Sequence, residues 1–230
     1  VKTRPAPFLV FLSVAVCAAA VGSHAVAGPE YAAGVSAGVV VYVAAFSAVH
    51  AEEAPGAGDA VTFVRAALLA YVAGFVVSPP DGTEAWLVGG VFVAAAVLDA
   101  ADGAVARRTR ETTLGESLDG EVDGLSVLVG ATVGVVGGWL PAVYLTVGAA
   151  RYVFVAGIAV RRRLGMSVAE LDDSLTRKLL SVAQTVVVVA AFVPAIPASV
   201  VRPVAVAAMV PFLVWFTRDW FVVCGRHKPE

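Results

Sequence analysis

Charge is what this chain has least of. Charged residues make up 15% of the sequence, against about 25% in a soluble domain. The deficit is uneven. Long apolar runs alternate with short polar clusters, a pattern that argues against an ordinary water-soluble domain. Net charge is only -2, so no global basic field points to nucleic acid. Cysteine is scarce too. Cys17 and Cys224 lie far apart, in or beside apolar runs, which argues against a disulfide or a metal pair and leaves them as packing residues. The three histidines are scattered and make no zinc-ligand spacing.

What is abundant is apolar surface. Hydrophobic residues make up 59% of the chain and the mean hydropathy is +0.86. A helix crossing the hydrocarbon needs about 20 residues. Eight such spans are predicted, at roughly 7–27, 31–50, 60–78, 84–106, 115–137, 139–160, 177–195 and 198–224. Gly28-Pro29, Pro79-Pro80-Asp81-Gly82, Gly137-Gly138 and the segment Pro194 to Pro197 punctuate them. Lys2 and Arg4 precede the first run as they would in a signal peptide, but further spans follow, so it is read as a retained helix. The expected fold is an all-α, polytopic helical membrane protein.

Lys and Arg placement predicts the orientation. With a cytoplasmic amino terminus, eight spans put Lys2, Arg4, Arg107, Arg108, Arg110, Arg161 to Arg163, Arg177, Lys178, Arg226 and Lys228 on the cytoplasmic side. Only Arg202 falls outside. Both termini are then cytoplasmic. Gly130, Gly134 and Gly138, and likewise Gly34 and Gly38, recur every four residues. That spacing lets helices approach closely, either inside the bundle or at a dimer face.

The informative stretch runs from Asp99 to Asp123. Asp99 and Asp102 are three apart near the end of the fourth predicted span, and Asp119 and Asp123 are four apart near the start of the fifth. Both spacings put a pair on one helix face. The short connection makes the two helices antiparallel neighbours, so four carboxylates can converge at one depth. Carboxylates gathered in a membrane repel one another and are costly. A divalent cation would neutralise them, and Mg²⁺ or Mn²⁺ prefers such oxygen ligands. Two ions would suit displacement at phosphorus. Gly103 and Gly115 lack side chains beside the carboxylates, which lets a nucleotide come near the backbone.

Asp99, Asp102, Gly103, Ala106, Arg107, Gly115, Asp119 and Asp123 match, in order, the pattern D-x-x-D-G-x-x-A-R, a spacer, then G-x-x-x-D-x-x-x-D. The chain thereby resembles the CDP-alcohol phosphotransferase family. Its spacer, Arg108 to Leu114, is seven residues where the family has eight; the deletion falls in the inter-helix turn. Asp59, Thr62 and Arg65 resemble the family's N-x-x-T-x-x-R segment, with Asp for Asn. Ser174, Lys178 and Gln184 resemble the S-x-x-G-K-x-x-T-x-x-Q segment of the glycerol-phosphate branch, with Arg177 for Gly and Ser181 for Thr.

The resemblance implies a six-helix catalytic core at 58–230, preceded by two added helices at 1–57. It implies a homodimeric, metal-dependent enzyme of phospholipid synthesis with a cytoplasm-facing site. Asp99, Asp102, Asp119 and Asp123 would be metal ligands, with Asp123 also the general base. Thr62, Asp102, Gly103, Ala106, Arg107 and Gly115 would lie along the CDP moiety. The reaction implied moves a phosphatidyl or archaetidyl group from a CDP-activated lipid to a small polar alcohol and releases CMP.

Cations choose among acceptors. Arg65, Arg151, Lys178 and Arg218 lie within or at the cytoplasmic ends of spans, where such groups usually face a cavity or a partner. Together they would take a phosphate on the acceptor, which favours glycerol phosphate or inositol phosphate over serine. Pairing with the aspartates or reaching to lipid headgroups would be their structural use. Arg161 to Arg163 read as a topology determinant. A cation-coupled transporter is the rival class, and predicts mid-membrane carboxylates and inverted repeats; the sequence offers neither. A non-catalytic scaffold is a further rival, disfavoured because all four aspartates are present.

Overall fold

The computed structural model describes residues 31–50, 57–77, 79–80, 82–106, 113–172 and 174–225. Among these the secondary structure is helical, without a strand. The helices are α1 (Tyr31–His50), α2 (Ala57–Ala73), α3 (Gly82–Ala106), α4 (Thr113–Val136), α5 (Leu145–Arg163), α6 (Leu175–Ala191) and α7 (Ala198–Val223). A short 3-10 turn, Gly74–Val76, extends α2, and another, Ala142–Tyr144, leads into α5. Each predicted span from the second onward corresponds to one of these helices. The first, at 7–27, lies outside the described residues.

Local chemistry sets the helix ends. α4 stops at a glycine in the left-handed region, Gly138 (φ 76°). Trp139 N then donates to Gly134 O at 2.9 Å and Gly138 N to Val135 O at 3.0 Å, which satisfies carbonyls the helix would leave open. Arg202 Nη2 fastens this turn to α7 by donating to Gly138 O at 2.6 Å. Gly165 (φ 67°) ends α5 in the same way, with Met166 N on Arg161 O at 3.0 Å. The span expected at 139–160 is therefore a helix at 145–163, because the turn and Pro141 occupy the residues before it. α6 begins two residues earlier than expected. Ser174 caps it, its hydroxyl accepting from Arg177 N at 3.4 Å.

α2 and α4 lie at the centre. Leu69, Val72 and Ala73 on α2 and Leu118, Val122, Ala131 and Val133 on α4 are buried, in one core with Val88 and Phe92 of α3 and Val188 of α6. Phe192 meets Phe92 edge-on at 5.5 Å and Trp139 at 5.8 Å. Gly130 of α4 packs inward, against Val188 and Phe92. α5 and α7 make up much of the periphery, joined through Phe154, Phe216 and Trp220.

Their outer surfaces are apolar. Val153, Val155, Val204, Val210 and Val214 are all exposed. So much exposed aliphatic surface would be a liability in water and suits hydrocarbon. The helices at Asp59–Val76, Gly82–Asp99, Ala142–Arg163 and Ala198–Val223 are each long and apolar enough to cross a membrane. The chain is an all-α polytopic membrane protein. Helices suit that solvent because they satisfy their own backbone hydrogen bonds.

A buried polar knot ties α5, α6 and α7 together. Tyr144 Oη donates to Gln184 Oε1 at 2.7 Å, and Gln184 Nε2 donates to Ala208 O at 3.0 Å. Both side chains are fully buried. Ala208 lies in the turn of α7 before Pro211, next to Ala207, whose carbonyl has no i+4 donor because proline has no N–H.

Candidate metal and transfer site

α2 carries three buried polar residues at three-residue spacing, Asp59, Thr62 and Arg65. Because α2 is central, Arg65 cannot reach water and is only 3% exposed. It reaches carboxylates on two other helices instead. Arg65 Nη2 lies 2.8 Å from Asp99 Oδ1 of α3 and 2.6 Å from Asp123 Oδ1 of α4. Arg65 Nη1 lies 2.5 Å from Asp119 Oδ1 of α4. The four-residue spacing of Asp119 and Asp123 does what it predicts and puts both on one face of α4.

One oxygen from each of Asp99, Asp119 and Asp123 lies within 4.8 Å of the others. Among the described residues, the Arg65 guanidinium contacts all three and offsets one of their three negative charges. Hard oxygen donors in a tight group, still carrying excess negative charge, fit a divalent cation of the Mg²⁺ or Mn²⁺ type.

The other expected site residues fall as follows. Asp102, Gly103 and Ala106 belong to the last turns of α3, and Gly115 to the first turn of α4. Arg107 lies outside the described residues. Thr62 is one turn before Arg65 and is buried. Lys178 is exposed on α6. Arg218 lies over the Trp215 ring at 4.5 Å from its centroid and 3.6 Å from Asp219. Asp219, which is buried, also takes Arg177 Nε at 2.8 Å.

Arg151 runs from α5 across α4 at Gly120 and Gly124. A Cβ built on Gly124 would lie 2.1 Å from Arg151 Cδ, so this close approach needs glycine. The guanidinium ends 3.2 Å from Glu121 Oε2. The other oxygen of Glu121 accepts a short hydrogen bond from Tyr42 of α1. Sequence reasoning singled out neither Glu121 nor Tyr42. Glu121 had a usable signal, since it is an acidic residue in an apolar span between two aspartates. Tyr42 had none.

A model of the CDP-alcohol phosphatidyltransferase family matches residues 57–222. The chain belongs to this family. No curated protein and no solved structure matches it. All four signature aspartates lie inside the matched segment, and α1 lies before it. Membership implies a transferase of phospholipid synthesis that moves a phosphatidyl group from a CDP-alcohol to an acceptor in a membrane setting. Family members use divalent metals, which agrees with the carboxylate group around Arg65.

Proposed function

We propose that this CDP-alcohol phosphatidyltransferase moves a phosphatidyl or archaetidyl group from a CDP-activated lipid to a phosphorylated alcohol, glycerol phosphate or inositol phosphate, with release of CMP. The observation that carries the reading is the convergence of Asp99, Asp119 and Asp123 within the family segment.

Asp99, Asp102, Asp119 and Asp123 would hold the metal, read as two ions. When bound, it supplies Lewis-acid charge at the pyrophosphate of the CDP-lipid. Thr62, Gly103, Ala106, Arg107 and Gly115 would line the CDP moiety. Asp123 accepts the proton of the acceptor hydroxyl as that oxygen attacks the lipid-side phosphorus. A phosphorus–oxygen bond forms to the acceptor, the bond to the bridging oxygen breaks, and CMP leaves with the electron pair.

A phosphate on the acceptor would give the cations singled out in the sequence a use. Arg151, Lys178 and Arg218 would bind it, and Arg65, which holds the carboxylates, would lie at its inner edge. The charge bias of the loops supports eight spans with a cytoplasmic site and cytoplasmic termini. The family resemblance supports a homodimer and a division of the chain near residue 57.

The test is CMP release by purified protein in detergent. CDP-diacylglycerol and CDP-archaeol would each be offered with glycerol phosphate, inositol phosphate, serine or no acceptor, with Mg²⁺ or Mn²⁺. Release that requires a phosphorylated acceptor and stops with chelator supports the proposal. Release with serine alone moves the chain to another branch. No release with any acceptor, from folded protein, removes the catalytic reading.

A further inference from the structure

Glu121 is placed differently from the aspartates on either side of it. It is two residues from both Asp119 and Asp123, so on a helix it points away from the face they share. α4 thus presents two carboxylates toward α2 and α3 and a third toward α1 and α5. Glu121 is 7% exposed. A buried carboxylate in an apolar bundle persists only when both oxygens are engaged. Here one oxygen accepts from the Tyr42 hydroxyl and the other from Arg151 Nη2 at 3.2 Å.

Arg151 is not used up by this pairing. Its side chain is 38% exposed, and it lies over Gly120 and Gly124, beside the turn that carries Asp119 and Asp123. Gly120 and Gly124 sit on the flank of α4 between the aspartate face and the Glu121 face. The guanidinium is thereby held at the edge of the carboxylate group with part of its surface open. Tyr42 comes from α1, which precedes the family segment at 57–222.

We infer that Tyr42 and Glu121 are positioning residues that set the Arg151 guanidinium for the phosphate of the acceptor, so that α1 serves acceptor recognition. This rests on the phosphorylated-acceptor reading above. Tyr42 fixes one Glu121 oxygen, which leaves the other directed at Arg151. Without the Tyr42 hydroxyl that oxygen loses its donor on α1, and the carboxylate can turn toward the neighbouring Tyr152 hydroxyl and away from Arg151. The cation then loses its fixed place, while the metal-binding carboxylates on the opposite flank keep theirs.

The experiment is steady-state CMP release by the full chain in detergent, with sn-glycerol 3-phosphate and inositol phosphate as acceptor probes. Wild type would be compared with Tyr42→Phe, Glu121→Gln, Arg151→Gln and the double variant Tyr42→Phe/Arg151→Gln. Tyr42→Phe is expected to raise the acceptor KM about threefold to tenfold, the range of one net hydrogen bond. The KM for the CDP-lipid and kcat should move far less. In the Arg151→Gln background, Tyr42→Phe should add nothing, because its effect runs through Arg151.

An unchanged acceptor KM in Tyr42→Phe overturns the inference. So does an equal change in both KM values, or a full additive effect in the double variant. Glu121→Gln guards against misfolding of Tyr42→Phe, since it keeps the shape and an acceptor for the tyrosine. If neither variant yields folded protein, the trio is only a staple between α1 and the core, and the inference falls. Wild-type protein that uses neither phosphorylated acceptor removes the reading beneath the inference as well. The two failures are thus told apart by whether wild type or only the variants disappoint.

Discussion

Arg65 Nη2 donates to Asp123 Oδ1 at 2.6 Å, which joins a buried cation of α2 to the carboxylate assigned as general base on α4. The same nitrogen lies 2.8 Å from Asp99. One guanidinium therefore orients the proposed base together with Asp99, one of the aspartates proposed to hold the metal.

Asp123→Asn keeps the size of the side chain and removes its ability to take a proton. CMP release should fall by about 10²–10⁴-fold, the usual worth of a general base. CDP-lipid binding, measured by equilibrium binding with catalysis stopped, should fall much less. An Asp123→Asn protein with near-normal turnover would show that another group takes the proton.

Arg65→Gln leaves Asp99, Asp119 and Asp123 without their shared counter-charge. Breaking a fully buried ion pair costs about 3–5 kcal/mol. These aspartate side chains are 45, 44 and 53% exposed, so solvent screening lowers the expected loss to about 1–3 kcal/mol. The protein should melt lower in chelator than wild type does. Mn²⁺ should then raise its melting temperature by more than it raises that of wild type, because the cation no longer shares the carboxylates with Arg65. Equal metal-induced shifts in the two proteins would show that guanidinium and metal do not share these ligands.

The convergence of Asp99, Asp119 and Asp123 was legible because it rests on local spacing, while the side chain of Asp102, the fourth aspartate expected there, lies outside what the structure describes. Asp119 and Asp123 are one helical turn apart, and Asp99 belongs to the adjoining helix, so spacing and a short connection were enough. Helix positions were legible for a similar reason: apolar runs and glycine-proline turns are local signals. Arg65 was visible as a cation within a span, but its partners depend on how α2 packs between α3 and α4, which no spacing encodes. Tyr42 and Glu121 are 79 residues apart and meet only in the tertiary structure. Ser174 and Gln184 matched a family segment. In the fold, one caps α6 and the other ties it to its neighbours.

Tyr144 and Gln184 make a further prediction about stability. Tyr144→Phe deprives Gln184 Oε1 of its donor inside an apolar bundle, and Gln184→Leu strands the tyrosine hydroxyl. Each single variant should lose about 1–3 kcal/mol, the cost of a buried polar group without a partner. The double variant should lose less than the sum, because two apolar side chains leave fewer polar atoms stranded. Thermal unfolding in detergent measures this. Strict additivity would mean that the two side chains do not depend on each other.

Gly130 and Gly38 look alike in sequence, each in a four-residue glycine repeat, yet the fold gives them opposite surroundings. A Cβ on Gly130 would lie 2.4 Å from Val188 Cγ1 and 2.9 Å from Phe92 Cε2, while one on Gly38 meets nothing within 4 Å. Alanine favours a helix over glycine by about 0.8–1.0 kcal/mol. At Gly38 nothing opposes that gain, so Gly38→Ala should leave the melting temperature unchanged or raise it. At Gly130 the added carbon must push apart α3, α4 and α6, and overpacking of this kind costs about 1–3 kcal/mol. Gly130→Ala should therefore melt lower than wild type. The same pair of variants separates the two uses of small residues. Cross-linking in membranes that changes with Gly38→Ala but not with Gly130→Ala would place the Gly34–Gly38 repeat at a contact between copies. No change with either would leave α1 facing lipid along that stripe.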